Sequence, residues 1–180
     1  MSTLAPGQLV DLRYFASDPS YDECFFGGVT RARRHIPMER EHPKQPLVGV
    51  GALIVENGRA VLIKRGKAPL LGEWSIPGGM LELGETLRQG AEREALEETG
   101  LLVRATELLG VFDRVVPDAE GRIVYHYVLI DFLCERVAGE LKAGADAADA
   151  QWLTPEEVAK LSLAEDTAGA IHAAFAKAIR

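Results

Sequence analysis

Three glutamates, Glu94, Glu97 and Glu98, fall at spacings of three and four residues in a stretch that carries both end signals of a helix. Thr86 and Gln89 form a capping box ahead of it, and Gly100 supplies the left-handed position that closes it. Residues so spaced share one helical face with Cβ atoms about 5–6 Å apart, and like charges there repel by roughly 0.2–0.5 kcal/mol per pair. Glu97 and Glu98 also occupy the last turn, where the helix dipole disfavours anions. A segment that breaks two local rules at one place is expected to be compensated there by something cationic, and a divalent metal is the natural candidate. The other face carries Leu87, Ala91 and Ala95, mostly small groups that permit close packing on a sheet.

The surrounding pattern says what that sheet is. Leu47–Val55 reads as a buried strand, Asn57-Gly58 as a tight hairpin turn and Ala60–Arg65 as the partner strand. A loop from Gly66 to Glu73 leads to Trp74 and the Pro77-Gly78-Gly79 turn. Strands are expected at Val103–Phe112 and Ile123–Cys134, with Val115–Gly121 as a turn between them. A short strand, Ala150–Leu153, precedes a helix start at Thr154-Pro155. A final helix over Glu165–Ile179 places Ala168, Ile171, Phe175 and Ile179 on one side. Strands first, one embedded helix and helices last predict an α+β fold, a mixed sheet flanked by helices. Residues 1–46, broken by Pro6, Pro19, Pro37, Pro43 and Pro46, read as an extension to a domain spanning 47–180.

Composition narrows the partners. The net charge of −7 argues against a duplex nucleic-acid binder, although a bound cation reverses the sign of a site locally. No apolar run reaches the eighteen or so residues that would span a bilayer. The first residues lack the basic start and apolar core of a signal peptide, and Cys24 and Cys134 match no metal-ligand spacing. The expectation is a cytoplasmic protein with reduced thiols. The cluster Arg31-Ala32-Arg33-Arg34-His35 is read as a solvated or ion-paired patch. Phe25 and Phe26 are possible anchors of a homodimer formed through the extension.

Gly79, Glu85, Arg93, Glu94, Glu97, Glu98 and Gly100 stand at the glycine and polar positions of a known pattern. Gly79–Leu101 thereby resembles the box of the Nudix hydrolases, with Ala95 at an aliphatic position as the one soft departure. A salt-bridged surface helix would explain Arg93 with Glu97, but not Gly79 and Glu85 at those distances. The resemblance implies a Nudix-type α/β/α sandwich over about residues 47–180 and a metal-dependent pyrophosphohydrolase. Glu94, Glu97 and Glu98, with the Gly79 carbonyl, would hold Mg2+ or Mn2+, cations that prefer carboxylate oxygens and substrate phosphates. Arg93 is implied to tether Glu85, bracing the loop–helix joint without meeting substrate. The general base is left between Glu94 and an acid of the loop before the last strand, here Asp146, which could equally be an ordinary loop aspartate bonded to its own backbone.

Substrate choice is expected to lie outside the box. In the ADP-ribose subgroup a proline lies about sixteen residues beyond it, and Pro117 stands sixteen after Leu101. The stretch Tyr125-His126-Tyr127 could stack on a base or ribose; alternation sends Tyr125 and Tyr127 to one strand face and His126 to the other, so part of it is expected to be core. Arg65 and Trp74 flank the entrance loop as candidate substrate contacts. The leading expectation is ADP-ribose or a related nucleotide sugar. The alternatives are a nucleoside triphosphate pyrophosphohydrolase and, remotely, a non-catalytic nucleotide sensor, against which a box complete in its acids argues.

Overall fold

The computed structural model describes residues 40–66, 71–144 and 146–178. Cys24, Phe25, Phe26 and the Arg31–His35 cluster lie outside the described residues, as does most of the segment read as an extension.

The chain runs β1 (Leu47–Glu56), β2 (Arg59–Arg65), β3 (Trp74–Ser75), β4 (Gly78–Met80), α1 (Leu87–Thr99), β5 (Leu102–Pro117), β6 (Ile123–Ala138) and β7 (Ala147–Leu153). It ends with a short α2 (Pro155–Val158) and α3 (Glu165–Ala178). Asn57 and Gly58, with φ of 50° and 71°, make the tight turn that folds β2 back on β1. The sheet order is β3-β2-β1-β6-β5, with β4 added to β1 and β7 to β2. β6 runs parallel to β1, and every other pairing is antiparallel, so the sheet is mixed as expected.

Alternation along β1 divides the interior in two. Val50, Ala52 and Ile54 pack under α1 against Ala91 and Ala95, while Leu53 packs on the other face with Leu62, Ile171, Ala174 and Phe175 from β2 and α3. Helices therefore cover both faces of the sheet. α1 sits close because the small residues Gly90, Ala91 and Ala95 are among its buried positions. A Cβ at Gly90 would come within 3.1 Å of both Leu81 and Val50. Leu87, expected on the packed face, is instead 38% exposed at the first position of α1.

The predicted turn over Val115–Gly121 is shorter than expected. β5 continues through Pro117, which pairs with Ile123, and the reversal is made by Asp118–Arg122. Asp118 Oδ1 accepts from the Glu120 and Arg122 N–H groups there. A proline at the final ladder position removes a donor where pairing ends anyway, so it terminates the strand without excluding it. No helix among the described residues is long and apolar enough to cross a membrane.

Candidate active site

Both end signals of α1 are present. Thr86 and Gln89 make the reciprocal capping box, and Gly100 adopts φ 70° at the C-terminus. The helix lies against β4, and that contact assembles the box. The Gly78 N–H donates to Glu98 Oε2 at 2.8 Å. Gly79 faces Glu94 so closely that a Cβ there would lie 2.3 Å from Glu94 Oε1 and 2.5 Å from its Cδ. Only glycine lets the strand backbone and the acid share this space.

Arg93 holds the joint together. Its Nε and Nη2 reach both Glu85 oxygens at 2.7 and 3.1 Å, and Nη2 also donates to the Met80 carbonyl at 3.0 Å. Nη1 is shared by Glu94 at 2.7 Å and Glu97 at 3.2 Å. Glu85 Oε2 in turn accepts from the Glu82 N–H at 3.1 Å. The guanidinium thus ties strand β4, the following loop and the helix into one unit.

The three acids differ in environment. Glu98 is buried at 8% exposure and Glu94 nearly so, with 13% of its side chain exposed, whereas Glu97 is 58% exposed. Burial pushes the Glu98 carboxyl up to about 7. The Gly78 N–H and Arg65 oppose that rise, and the charges of Glu94 and Asp146 add to it. Burial likewise raises Glu94, against its pairing with Arg93 and with help from Glu97 and Glu85. The donor chemistry, carboxylates crowded until ionisation is costly, fits a hard divalent cation. Among the described residues no three acidic, histidine or cysteine side chains converge as a ready-made metal cluster. The acids fit in kind and face, with Arg93 holding two of them.

This environment has a consequence for stability. Glu98 has a folded-state pKa near 7, above the unfolded value of about 4.3. Its contribution is therefore full below about pH 4.3 and lost as pH rises through 7. Protein held in chelator is expected to lose up to about 3 kcal/mol of folding stability between pH 5 and pH 8, as read from urea midpoints. Glu98→Gln should flatten that dependence.

A cleft of about 520 Å3 opens beside the box, on the sheet face that also carries α3. Gly78, Gly79 and Met80 form its shared wall with the acids, Arg65 and Ser75 rise beside them, and Tyr125 and Tyr127 line the far part. The two rings are parallel, with centroids 6.2 Å apart and planes 13° from each other. The Tyr125 hydroxyl donates to Glu41 at 2.8 Å. Among the described residues, Arg65 Nε and Ser75 Oγ are both buried at the cleft wall without a hydrogen-bond partner.

The remaining sequence candidates are scattered. Asp146 is exposed on the turn before β7, and its carbonyl accepts from the Gly66 N–H at 3.0 Å. It is near enough to Glu98 for its charge to be felt there. Trp74 pairs with Lys64 and packs into the cluster beneath α3, and Pro117 is exposed at the end of β5; neither lines the cleft. Several cleft residues escaped the sequence reading, among them Asp131 and Ser75. Asp131 is a buried acid inside the apolar run Val128–Cys134 of β6, and that isolation was its signal. Ser75 carried no signal.

A mixed sheet between helices, with an arginine-braced acidic helix beside a cleft, is an α+β architecture whose candidate site lies at the junction of α1 and β4. Residues 45–174 match the family model described as NUDIX domain. The chain is 38% identical over 117 residues to an ADP-ribose pyrophosphatase of Methanocaldococcus jannaschii, across 65% of this chain and 67% of that protein. A MutT-like protein of Streptomyces ambofaciens is 34% identical over 125 residues, 69% of this chain and 74% of that one. Among solved structures, a MutT NUDIX hydrolase from Burkholderia pseudomallei superposes with a TM-score of 0.61 at 32% identity. That superposition covers 72% of this chain and 98% of the other. The chain belongs to the Nudix hydrolase family and is a Nudix pyrophosphohydrolase.

Proposed function

We propose that this enzyme hydrolyses the pyrophosphate bond of a nucleoside diphosphate joined to a second moiety, with ADP-ribose, cleaved to AMP and ribose 5-phosphate, as leading substrate. The observation that carries the reading is the junction at Gly78–Met80, where one short strand borders the acids on one side and a basic, aromatic cleft on the other. Arg65 and Ser75 bind phosphate oxygens with the polar groups they leave unused inside the protein. Tyr125 and Tyr127 offer a flat stacking wall for the base. The identity to the Methanocaldococcus jannaschii pyrophosphatase supports ADP-ribose. The relationship to MutT-like proteins favours the second reading, a nucleoside triphosphate pyrophosphohydrolase.

Glu94, Glu97 and Glu98, with the Gly79 carbonyl, are the groups that would hold Mg2+ or Mn2+. When bound, the cation supplies the charge that a pyrophosphate needs neutralised during attack by water. The protein's own part is to orient that water and accept its proton. Glu94, whose carboxyl burial raises above its ordinary value, and Asp146, whose charge is felt at Glu98, are the two acids we assign to that step. Glu85 and Arg93 keep the acids in position without touching substrate. We place the catalytic domain at 47–180 and the enzyme in the cytoplasm, with residues 1–46 as an arm that pairs two copies.

The test is a substrate panel of ADP-ribose, nucleotide sugars, dinucleoside polyphosphates and nucleoside triphosphates, with Mg2+ and Mn2+ and identification of products. AMP and ribose 5-phosphate from ADP-ribose, at the highest kcat/KM of the panel, is the expected result. Preferential release of pyrophosphate from triphosphates would replace it with the second reading. Glu94→Gln and Asp146→Asn, compared on the best substrate, identify the base as the variant that loses the acid-side dependence of kcat, its rise with pH as the base deprotonates.

A further inference from the structure

A helix leaves its last four carbonyls without intrahelical donors. At the end of α1 the Gly100 N–H closes back on the Leu96 carbonyl at 2.9 Å, and the chain between β6 and β7 supplies two donors more. The Lys142 N–H donates to the Thr99 carbonyl and the Gly144 N–H to the Glu98 carbonyl, both at 2.9 Å. Gly144 approaches more closely than any side chain would allow. A Cβ there would lie 1.8 Å from the Glu97 carbonyl oxygen and 3.0 Å from the Glu98 Cα. Its φ is not positive, so glycine supplies space here and not a backbone conformation. The backbone it rests on belongs to Glu97 and Glu98, two of the three acids of the box.

Two residues further on, the same segment is held from the opposite side. The Asp146 carbonyl accepts from the Gly66 N–H at 3.0 Å. A Cβ at Gly66 would lie 2.9 Å from that carbonyl oxygen and 3.3 Å from the Ala148 nitrogen. The Ala147 N–H donates back to the Gly144 carbonyl at 3.2 Å, and Ala147 stands in register with Arg65. The backbone of Asp146 is thus pinned between the end of the helix that carries the acids and the strand end that carries Arg65. Asp146 itself is exposed, so its place is set by these backbone contacts and not by burial of its side chain.

We propose that Gly144 is a positioning residue for the hydrolysis, its close approach to α1 setting the distance between Asp146 and the face of Glu94, Glu97 and Glu98. The assignment rests on the reading of Asp146 as an acid that takes part in the reaction, and adds the device that places it. Bringing a Cβ at position 144 from 1.8 Å to ordinary contact displaces the segment by more than about 1 Å, a shift that costs up to about 10²-fold in rate at a reacting group.

The test is a double-mutant cycle on the full chain with the best substrate of the panel: wild type, Gly144→Ala, Asp146→Asn and the double variant, each with its urea midpoint. Gly144→Ala is expected to lower kcat by about 10–10²-fold with KM within about threefold of wild type. In the Asp146→Asn background the same substitution should cost less than about twofold, since the group it displaces no longer acts. Binding of Mn2+ alone, read by electron paramagnetic resonance, should be the same in Gly144→Ala as in wild type, because the helix face itself is untouched. Should Gly144→Ala not fold, Gly66→Ala, which presses on Asp146 from the other side, takes its place in the cycle. Wild-type kcat in the folded glycine variant overturns the proposal. A loss that persists in full in Asp146→Asn, or that comes with loss of Mn2+ binding, also overturns it and makes the glycine a support of the helix alone. Wild-type turnover by Asp146→Asn overturns it as well, and leaves the pyrophosphohydrolase reading standing with Glu94 as the base. If only triphosphates are cleaved, the ADP-ribose reading falls, and the cycle run on a triphosphate still decides the role of Gly144.

Discussion

Glu98→Gln reduces kcat by roughly 10²–10³-fold or more while the protein stays folded. The expectation follows from what the substitution leaves in place. Glutamine is nearly isosteric, and its amide oxygen can still accept the Gly78 N–H, so the contact between α1 and β4 survives. What disappears is a negative charge that burial and the neighbouring Glu94 already make costly to carry. As structure alone, that charge destabilises the fold at neutral pH, so its removal should hold or raise the urea midpoint at pH 8. An acid that weakens the fold and is indispensable to turnover is one kept for a cation. Loss of activity together with loss of the folded state would instead make Glu98 a structural residue. Circular dichroism melts beside the kinetics separate the two.

Arg93→Ala should be the most destabilising single change in the site, by about 3 kcal/mol, at the lower end of the cost of breaking a buried pair. Arg93 and Glu85 are 15% and 19% exposed, so water softens the loss without cancelling it. The substitution strands Glu85 and Glu94, releases the Met80 carbonyl and frees the loop that leads into α1. Arg93→Lys should recover only part of the stability, because an ammonium cannot fork onto both Glu85 oxygens while reaching Met80 and Glu94. Urea unfolding of the three proteins checks this through the midpoint at constant m-value. A midpoint within about 0.5 kcal/mol of wild type would show the network to be ornamental.

The parts of the fold that were legible in the sequence are those where local chemistry and tertiary structure agree. Asn57-Gly58 can serve only a tight turn, and Thr86, Gln89 and Gly100 bracket α1 by hydrogen bonds that need no distant partner. Position relative to a third element was harder to read. Leu87 has the right spacing to be buried, but spacing along one helix does not say which of its turns another element covers. Pro117 and its neighbours carry turn chemistry, but two sixteen-residue strands continue their ladder up to that proline. Trp74 sits near the entrance in sequence and turns into the core beneath α3 in space. The acids of the box were legible because their spacing is set within one helix. The cleft beside them was not, because its lining comes from six separate strands that only the folded sheet brings together.

The central claim is that the face formed by Glu94, Glu97 and Glu98 holds a divalent cation without which the pyrophosphate is not cleaved. The direct measurement is turnover of ADP-ribose, or of the best substrate of the panel, by chelator-stripped protein before and after titration with MgCl2 or MnCl2. Activity absent in chelator and restored saturably by the metal, with no restoration in Glu98→Gln, is the predicted result. Turnover by metal-free protein at the rate of the metal-supplied enzyme would contradict the account.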